Sequence, residues 1–131
     1  MKSKIKTVQD AFNYTGRDSK ILSMFSTFPA QDWEYMVASY KRMVVIEALN
    51  KEANGGKNWI PDWSNYNEYK YYPWVDFKKN PAGVGFVVDR TDYGYAYTAT
   101  GVGSRLCFKS GDLVNYFIEQ FPELLQTTMA E

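Results

Sequence analysis

At 131 residues the chain suits one domain, long enough to bury a core without covalent staples. Fifteen basic and fifteen acidic residues cancel, so the charge balance carries no mark of a nucleic-acid or membrane-surface protein. There is no histidine and one cysteine, Cys107, which excludes an intramolecular disulfide, the usual zinc sites, and Ser–His or Cys–His nucleophilic catalysis.

The basic start, Met1 to Lys6, leads into Thr7-Val-Gln-Asp10 and not into an apolar run, so no secretory signal is expected. No apolar stretch approaches the ~20 residues of a membrane span, and a soluble, cytoplasmic protein is the expectation. Thr7 followed by Asp10 is close to a capping box and opens a short helix, Val8 to Tyr14, which Gly16 stops. Asp18 or Ser19 caps a second short helix through Ile21, Leu22, Met24 and Phe25, and Phe28-Pro29 breaks it. Pro29 opens a long helix over Ala30–Asn50, with Trp33, Met36, Val37, Tyr40, Met43, Val44 and Ala48 at the spacing of one face. Val45, Ile46 and Leu49 widen that face, which predicts burial on more than one side near the C-terminal end. Asn54-Gly-Gly-Lys-Asn58 ends the helix in a loop.

Beyond the loop the composition changes. Trp59 to Phe77 hold eight of the twenty-three aromatic residues. Trp59 to Asn67 has no clean period. Glu68 to Lys78 reads as a strand, at an edge or bulged because Pro73 cannot donate a ladder hydrogen bond. Asn80 to Gly83 is a turn, Val84 to Asp89 a second strand, and Arg90-Thr-Asp92 turns into a third, Tyr93 to Ala99, whose tyrosines 93, 95 and 97 share a face at period two. Gly101-Val-Gly103 precedes a fourth strand, Arg105 to Lys109, in which Cys107 reads as a small buried hydrophobe. Ser110 caps a last helix, with Asp112 in its first turn and Pro122 stopping or kinking it. The predicted fold is α+β in a single domain, 1–131: N-terminal helices including one long amphipathic helix in a helical part (1–54), then an aromatic-rich part (59–131) with a four-stranded antiparallel meander and a C-terminal helix.

Several residue groups invite a chemical reading. Asp62 between two tryptophans, with Glu68 and Asp76 beside the aromatic strand, outlines a two-carboxylate site of glycosidase type, against the commoner use of such acids as turn caps. Gly83, Gly85, Phe86 and Val87 partly match an RNA-recognition strand, but Ala82, Val84 and Asp89 break the match and the element order is wrong for that module. Gly101 to Arg105 looks like a phosphate loop, yet it leads to a predicted strand with no helix N-terminus behind it. Arg105 and Lys109, four apart in that strand, fall on one face that suits an acidic partner or plain solvent. The aromatic stretch is expected to divide. Trp59, Tyr69, Tyr71 or Tyr72 go largely to the core, whereas the face carrying Lys70, Tyr72, Trp74 and Asp76 sees solvent as a platform for a sugar or peptide.

The succession Tyr40-Lys41, Ile46 to Asn50, Trp59-Ile-Pro-Asp-Trp63, Lys70-Tyr-Tyr-Pro-Trp74 and Gly101 to Ser110 resembles a family of small uncharacterised proteins from gut Bacteroidales and their phages, crAss-like phages among them. The resemblance covers Trp33 to Phe121 and is most specific in the last two motifs. It implies a phage or mobile-element accessory protein working in the host cytoplasm, and it carries over no catalytic residue. The sequence thus reads as a non-catalytic binding or interaction module for a protein or small ligand, with candidate contacts Trp63, Lys70, Tyr72, Trp74, Arg105 and Lys109 and neither cofactor, metal nor membrane. The alternatives are a single-stranded nucleic-acid binder and, behind it, a histidine-independent carboxylate enzyme.

Overall fold

A computed structural model describes residues 1–131. Helix α1 (Val8–Thr15) begins at the expected capping box, in which the Thr7 side chain accepts from the Asp10 N–H and the Asp10 carboxylate accepts from the Thr7 N–H. The Lys6 and Thr7 amides on that carboxylate hold its pKa below the ordinary value. Gly16, at φ 75°, ends the helix in the left-handed conformation that glycine adopts most readily. Ser19–Thr27 form a 3-10 helix, capped by the Asp18 side chain on the Lys20 N–H.

Helix α2 (Ala30–Ala53) is the spine of the molecule. It departs from the expected amphipathic helix, because its burial changes along the axis and not around it. Trp33 and Tyr35 are exposed, whereas Val44, Val45, Ile46, Ala48, Leu49 and Asn50 are all buried. The C-terminal half is enclosed by α1 on one side and by the last two helices on the other. These are α3 (Gly111–Gln120), capped by Ser110, and α4 (Pro122–Met129), with Pro122 at its first position and Phe121 as the joint between them. Phe12, Phe108, Phe117 and Phe121 fill the space between the layers, each worth roughly 1.5–3 kcal/mol on burial.

The α+β class holds, but the predicted four-stranded meander does not form. The sheet has two antiparallel strands, β1 (Lys70–Lys79) and β2 (Phe86–Ala96). Two of the predicted strands are one. Arg90-Thr-Asp92 carries turn residues, yet it runs straight through the ladder opposite Asp76, Val75 and Trp74. Asp76 and Arg90 form an ion pair across the strands, and a bulge beside Asp76/Phe77 absorbs the irregularity. The predicted fourth strand is reduced to a 3-10 turn (Ser104–Leu106) and a single bridge, in which Tyr71 and Phe108 exchange backbone hydrogen bonds of 3.1 and 2.7 Å.

A side chain explains why that segment stops at one bridge. Asn50 Nδ2 donates to the Cys107 carbonyl at 2.9 Å, and Asn50 Oδ1 accepts from the Lys109 N–H at 2.9 Å. Phe108 therefore faces β1 while its two neighbours turn their backbone groups to the helix, and a carboxamide 5% exposed takes the place of another strand. Arg42, also on α2 and 8% exposed, is less well served. Its Nη1 donates to Thr128 Oγ1 at 3.2 Å, its Nε has no protein partner, and burial lowers its pKa.

Replacing Asn50 by alanine orphans one buried donor and one buried acceptor, so unfolding by denaturant should show a loss of about 2–4 kcal/mol. A loss under ~1 kcal/mol would mean that solvent reaches Cys107 and Lys109. For Arg42→Met the expectation is opposite, since the aliphatic volume is kept and a buried charge is removed. Stability should hold or rise by ~1 kcal/mol, and a loss near 3 kcal/mol would show that the guanidinium is well paired.

Candidate functional site

The aromatic stretch lies mostly outside the core. Nine of the fifteen exposed large apolar side chains fall between Tyr66 and Tyr97, which makes the sheet the main apolar surface of the molecule. Of the rings expected inside, Trp59, Tyr71 and Tyr72 are half-buried and Tyr69 is exposed. The core is filled from the helices, and β1 reaches it only through Tyr71 and Val75.

The two faces of the sheet divide as the period of two requires. One carries Tyr71, Pro73 and Val75 of β1 and Tyr69 just before it, with Tyr97, Tyr95, Tyr93 and Thr91 from β2 and its extension. Five tyrosines interlock here. Tyr69 stacks on Tyr95 with ring centres 5.1 Å apart and meets Tyr97 edge-on at 4.8 Å, and Tyr71 meets Tyr93 edge-on at 5.5 Å. Such pairs contribute about 0.5–1.5 kcal/mol each beyond their burial. The polar contact with Tyr69 pushes the Tyr97 phenol up to about 12. Tyr93 lies against the start of α3, where a Cβ on Gly111 would stand 2.7 Å from its ring.

On the opposite face, Trp74 is 54% exposed. Tyr72 lies flat across Gly94, its partner in the ladder, so closely that a Cβ there would stand 2.7 Å from the ring. Lys70 shares this face but is 0% exposed. The 59–69 segment folds over it: its ammonium donates to the Asn65 carbonyl at 3.0 Å, lies 3.5 Å from Glu68 and sits 5.3 Å from the centre of the Trp63 ring. Trp63 is itself tied down, its indole N–H donating to Ser104 Oγ at 2.8 Å. Trp63 and Lys70 thus brace the loop, while Tyr72 and Trp74 present the surface.

Arg105 and Lys109 are not brought together, because the strand that would align them is absent. Arg105 sits in the 3-10 turn against Met43 of α2, and Lys109 is exposed at the approach to α3. Of the acidic candidates, Asp76 pairs with Arg90 across the strands, and Asp62 and Glu68 act as turn caps. Asp62 accepts from the Ser64 hydroxyl and amide, which lowers its pKa, and Glu68 accepts from the Asp62 N–H at 2.7 Å. A general acid needs the reverse shift. Burial pushes the Cys107 thiol up to about 11, in keeping with a packing role.

The edges of the sheet are not equivalent. Because Tyr71 gives both backbone groups to Phe108, its ladder partner Tyr95 must turn its own groups away from β1. The same alternation turns Tyr93 and Thr91 outward, and the Tyr93 N–H accordingly bonds only to the Asp92 carboxylate. Pro73 removes a donor from the outer edge of β1. Gln126 of α4 covers the outer edge of β2 at Phe86 and Val88. What remains is an open edge at Thr91–Tyr95, flanked by exposed tyrosines. The period-two tyrosines were visible in the sequence, but the free edge depends on a register that was not.

Gly94→Ala should force the Tyr72 ring aside at a cost of ~1–3 kcal/mol. In a Tyr72→Ala background the same change should cost at least ~1 kcal/mol less, and additive effects in that double-mutant cycle would refute the close stacking.

No protein-family model, curated protein or solved structure matches the chain.

Proposed function

We propose that the protein is a non-catalytic binding module that engages a partner polypeptide through its two-stranded sheet. The observation that carries this reading is the open edge of β2 beside the tyrosine ladder. An unpaired edge presents N–H and C=O groups at the spacing of a strand, and an extended peptide is the ligand that matches them. Tyr69, Tyr95 and Tyr97 on one face and Trp74 on the other supply large rigid surfaces at low conformational cost, the side chains that dominate protein interfaces. The motif resemblance supports a setting for the partner: a phage or mobile-element accessory protein acting in the host cytoplasm. No helix is long and apolar enough to cross a membrane.

Single-stranded nucleic acid is the weaker alternative. Exposed rings can stack on bases, but the cations of the sheet are largely committed, Arg90 to Asp76 and Lys78 to Asp89 at 3.5 Å. Phosphate contacts supply most of the affinity of such proteins. A carboxylate enzyme is weaker still, because Asp62 is exposed and its pKa is lowered by the Ser64 hydrogen bonds, the reverse of what a general acid needs.

The test is affinity capture from a Bacteroidales host lysate with the wild type, Thr91→Pro, and the pair Trp74→Ala with Tyr95→Ala. Proline at Thr91 removes an outward donor and leaves the β1 ladder intact. Both variants should keep the wild-type circular dichroism and lose the captured protein, whereas Trp33→Ala, away from the sheet, should retain it. Undiminished capture by both sheet variants would overturn the reading.

A further inference from the structure

A cleft lined by none of the β1 or β2 residues opens against α2. It has a volume of about 340 Å³ and lies between α2, the Trp59–Pro61 segment and the 3-10 turn at Ser104 and Arg105. Met43, Ile46 and Glu47 form its helical wall, and Arg17 reaches in from the end of α1.

The charges of this cleft do not cancel. Arg17 and Glu47 are consumed by each other, with Nε–Oε2 at 2.6 Å and Nη2–Oε1 at 3.2 Å, and Arg17 also donates to the Tyr40 hydroxyl at 3.3 Å. Arg105 has no carboxylate within 4.0 Å and its Nη1 lies 3.2 Å from the Met43 sulfur, a weak acceptor that does not answer a full positive charge. Two guanidiniums against one carboxylate leave the cleft one positive charge in excess. Beside Arg105, Ser104 Oγ already accepts from Trp63, so its own proton is free to donate into the cleft. Trp59 and Met43, both half-buried, provide apolar walls. The space admits a ligand of on the order of ten non-hydrogen atoms, at about 30 Å³ for each water-sized group.

We infer that this cleft binds a small monoanionic carboxylate carrying a flat apolar group. The carboxylate is received by Arg105 and Ser104 and the apolar body lies between Trp59 and Met43. The guanidinium fork matches a carboxylate in geometry as well as in charge, and the single excess charge selects a monoanion. A small, mostly apolar concavity with a few convergent donors is the usual form of such a site.

Phenylacetate is the probe, with phenylacetamide as its neutral isostere, and the indole N–H resonance of Trp59, assigned with Trp59→Phe, is the readout. Phenylacetate should shift that resonance saturably, with half-saturation near ~1 mM. Phenylacetamide should bind about tenfold or more weakly, and Arg105→Gln should weaken phenylacetate by a similar factor. Arg105 is exposed, so this variant leaves the core untouched. Absence of a saturable shift, equal binding of acid and amide, or an unchanged midpoint in Arg105→Gln would each overturn the assignment. Thr91→Pro and Trp74→Ala should bind phenylacetate as the wild type does, which separates failure here from failure of the sheet surface.

Discussion

The carboxamide of Asn50 joins the two halves of this protein. It rises from the most enclosed turn of α2 and takes one donor and one acceptor from the segment that leads β2 to α3. Phe108, between those two groups, is the only residue that continues the sheet beyond its two strands. A hairpin of two strands is marginal in water by itself. Its attachment to the helical layer therefore rests on that carboxamide, on the Tyr71–Phe108 bridge, on the Gln126 hydrogen bonds to Phe86 and Val88, and on the contact of Tyr71, Val75 and Val88 with the core. The asymmetry of hydrogen-bond energetics gives the residue its weight: the two bonds add little net stability when made, but the groups they satisfy are expensive to leave dry and unpaired.

Tied to the helical layer at Tyr71 and again at Phe86 and Val88, the hairpin carries much of its remaining surface with few neighbours, and its composition follows from that position. Tyrosine and tryptophan tolerate half-burial because each joins an apolar body to a polar end. The ladder of five tyrosines is stabilised by ring-to-ring contact where core contact has run out. The edges show the same management of exposure. Pro73 blunts the outer side of β1, and Gln126 occupies the first part of the outer side of β2. A free strand edge is an aggregation hazard that folded proteins usually cover, so the uncovered run at Thr91–Tyr95 is consistent with an edge kept for use.

The sequence was legible where local chemistry decides the outcome. Thr7, Asp10, Gly16 and Ser110 act as the caps their residue types imply, because capping involves only neighbours a few positions away. The α+β class and the division of β1 into two faces followed from periodicity in the same way. Misreadings arose where a distant partner overruled a local preference. Arg90-Thr-Asp92 has turn chemistry, but Asp76 and the ladder opposite hold it extended. Arg105 to Lys109 alternates like a strand, but Asn50, more than fifty residues earlier, occupies one of its edges. Lys70 stands on the face expected to see solvent and is buried, because the period of a strand says nothing about a loop that folds back over it. Of the candidate contacts, Tyr72, Trp74 and Arg105 keep surfaces free to bind, whereas Trp63 and Lys70 are occupied with each other and with Ser104 and Asn65.

The distribution of committed charge separates the two surfaces by what each can recognise. On the sheet, most cations already face a carboxylate, so the proposed partner would gain little from electrostatic steering and would be selected by shape, apolar contact and main-chain hydrogen bonds. That favours a slow-forming contact of low salt dependence. In the cleft the balance is reversed, since Arg17 spends Glu47 and leaves Arg105 unanswered. A ligand there gains a charge-assisted contact against apolar walls, where such bonds are strongest. Trp63 lies between the two surfaces, bonded to Ser104 on the cleft side and packed on Lys70 at the start of β1. A chain with no net charge and no histidine thus keeps one uncommitted guanidinium at the cleft and one unpaired strand edge on the sheet, and the two proposals rest on these different features.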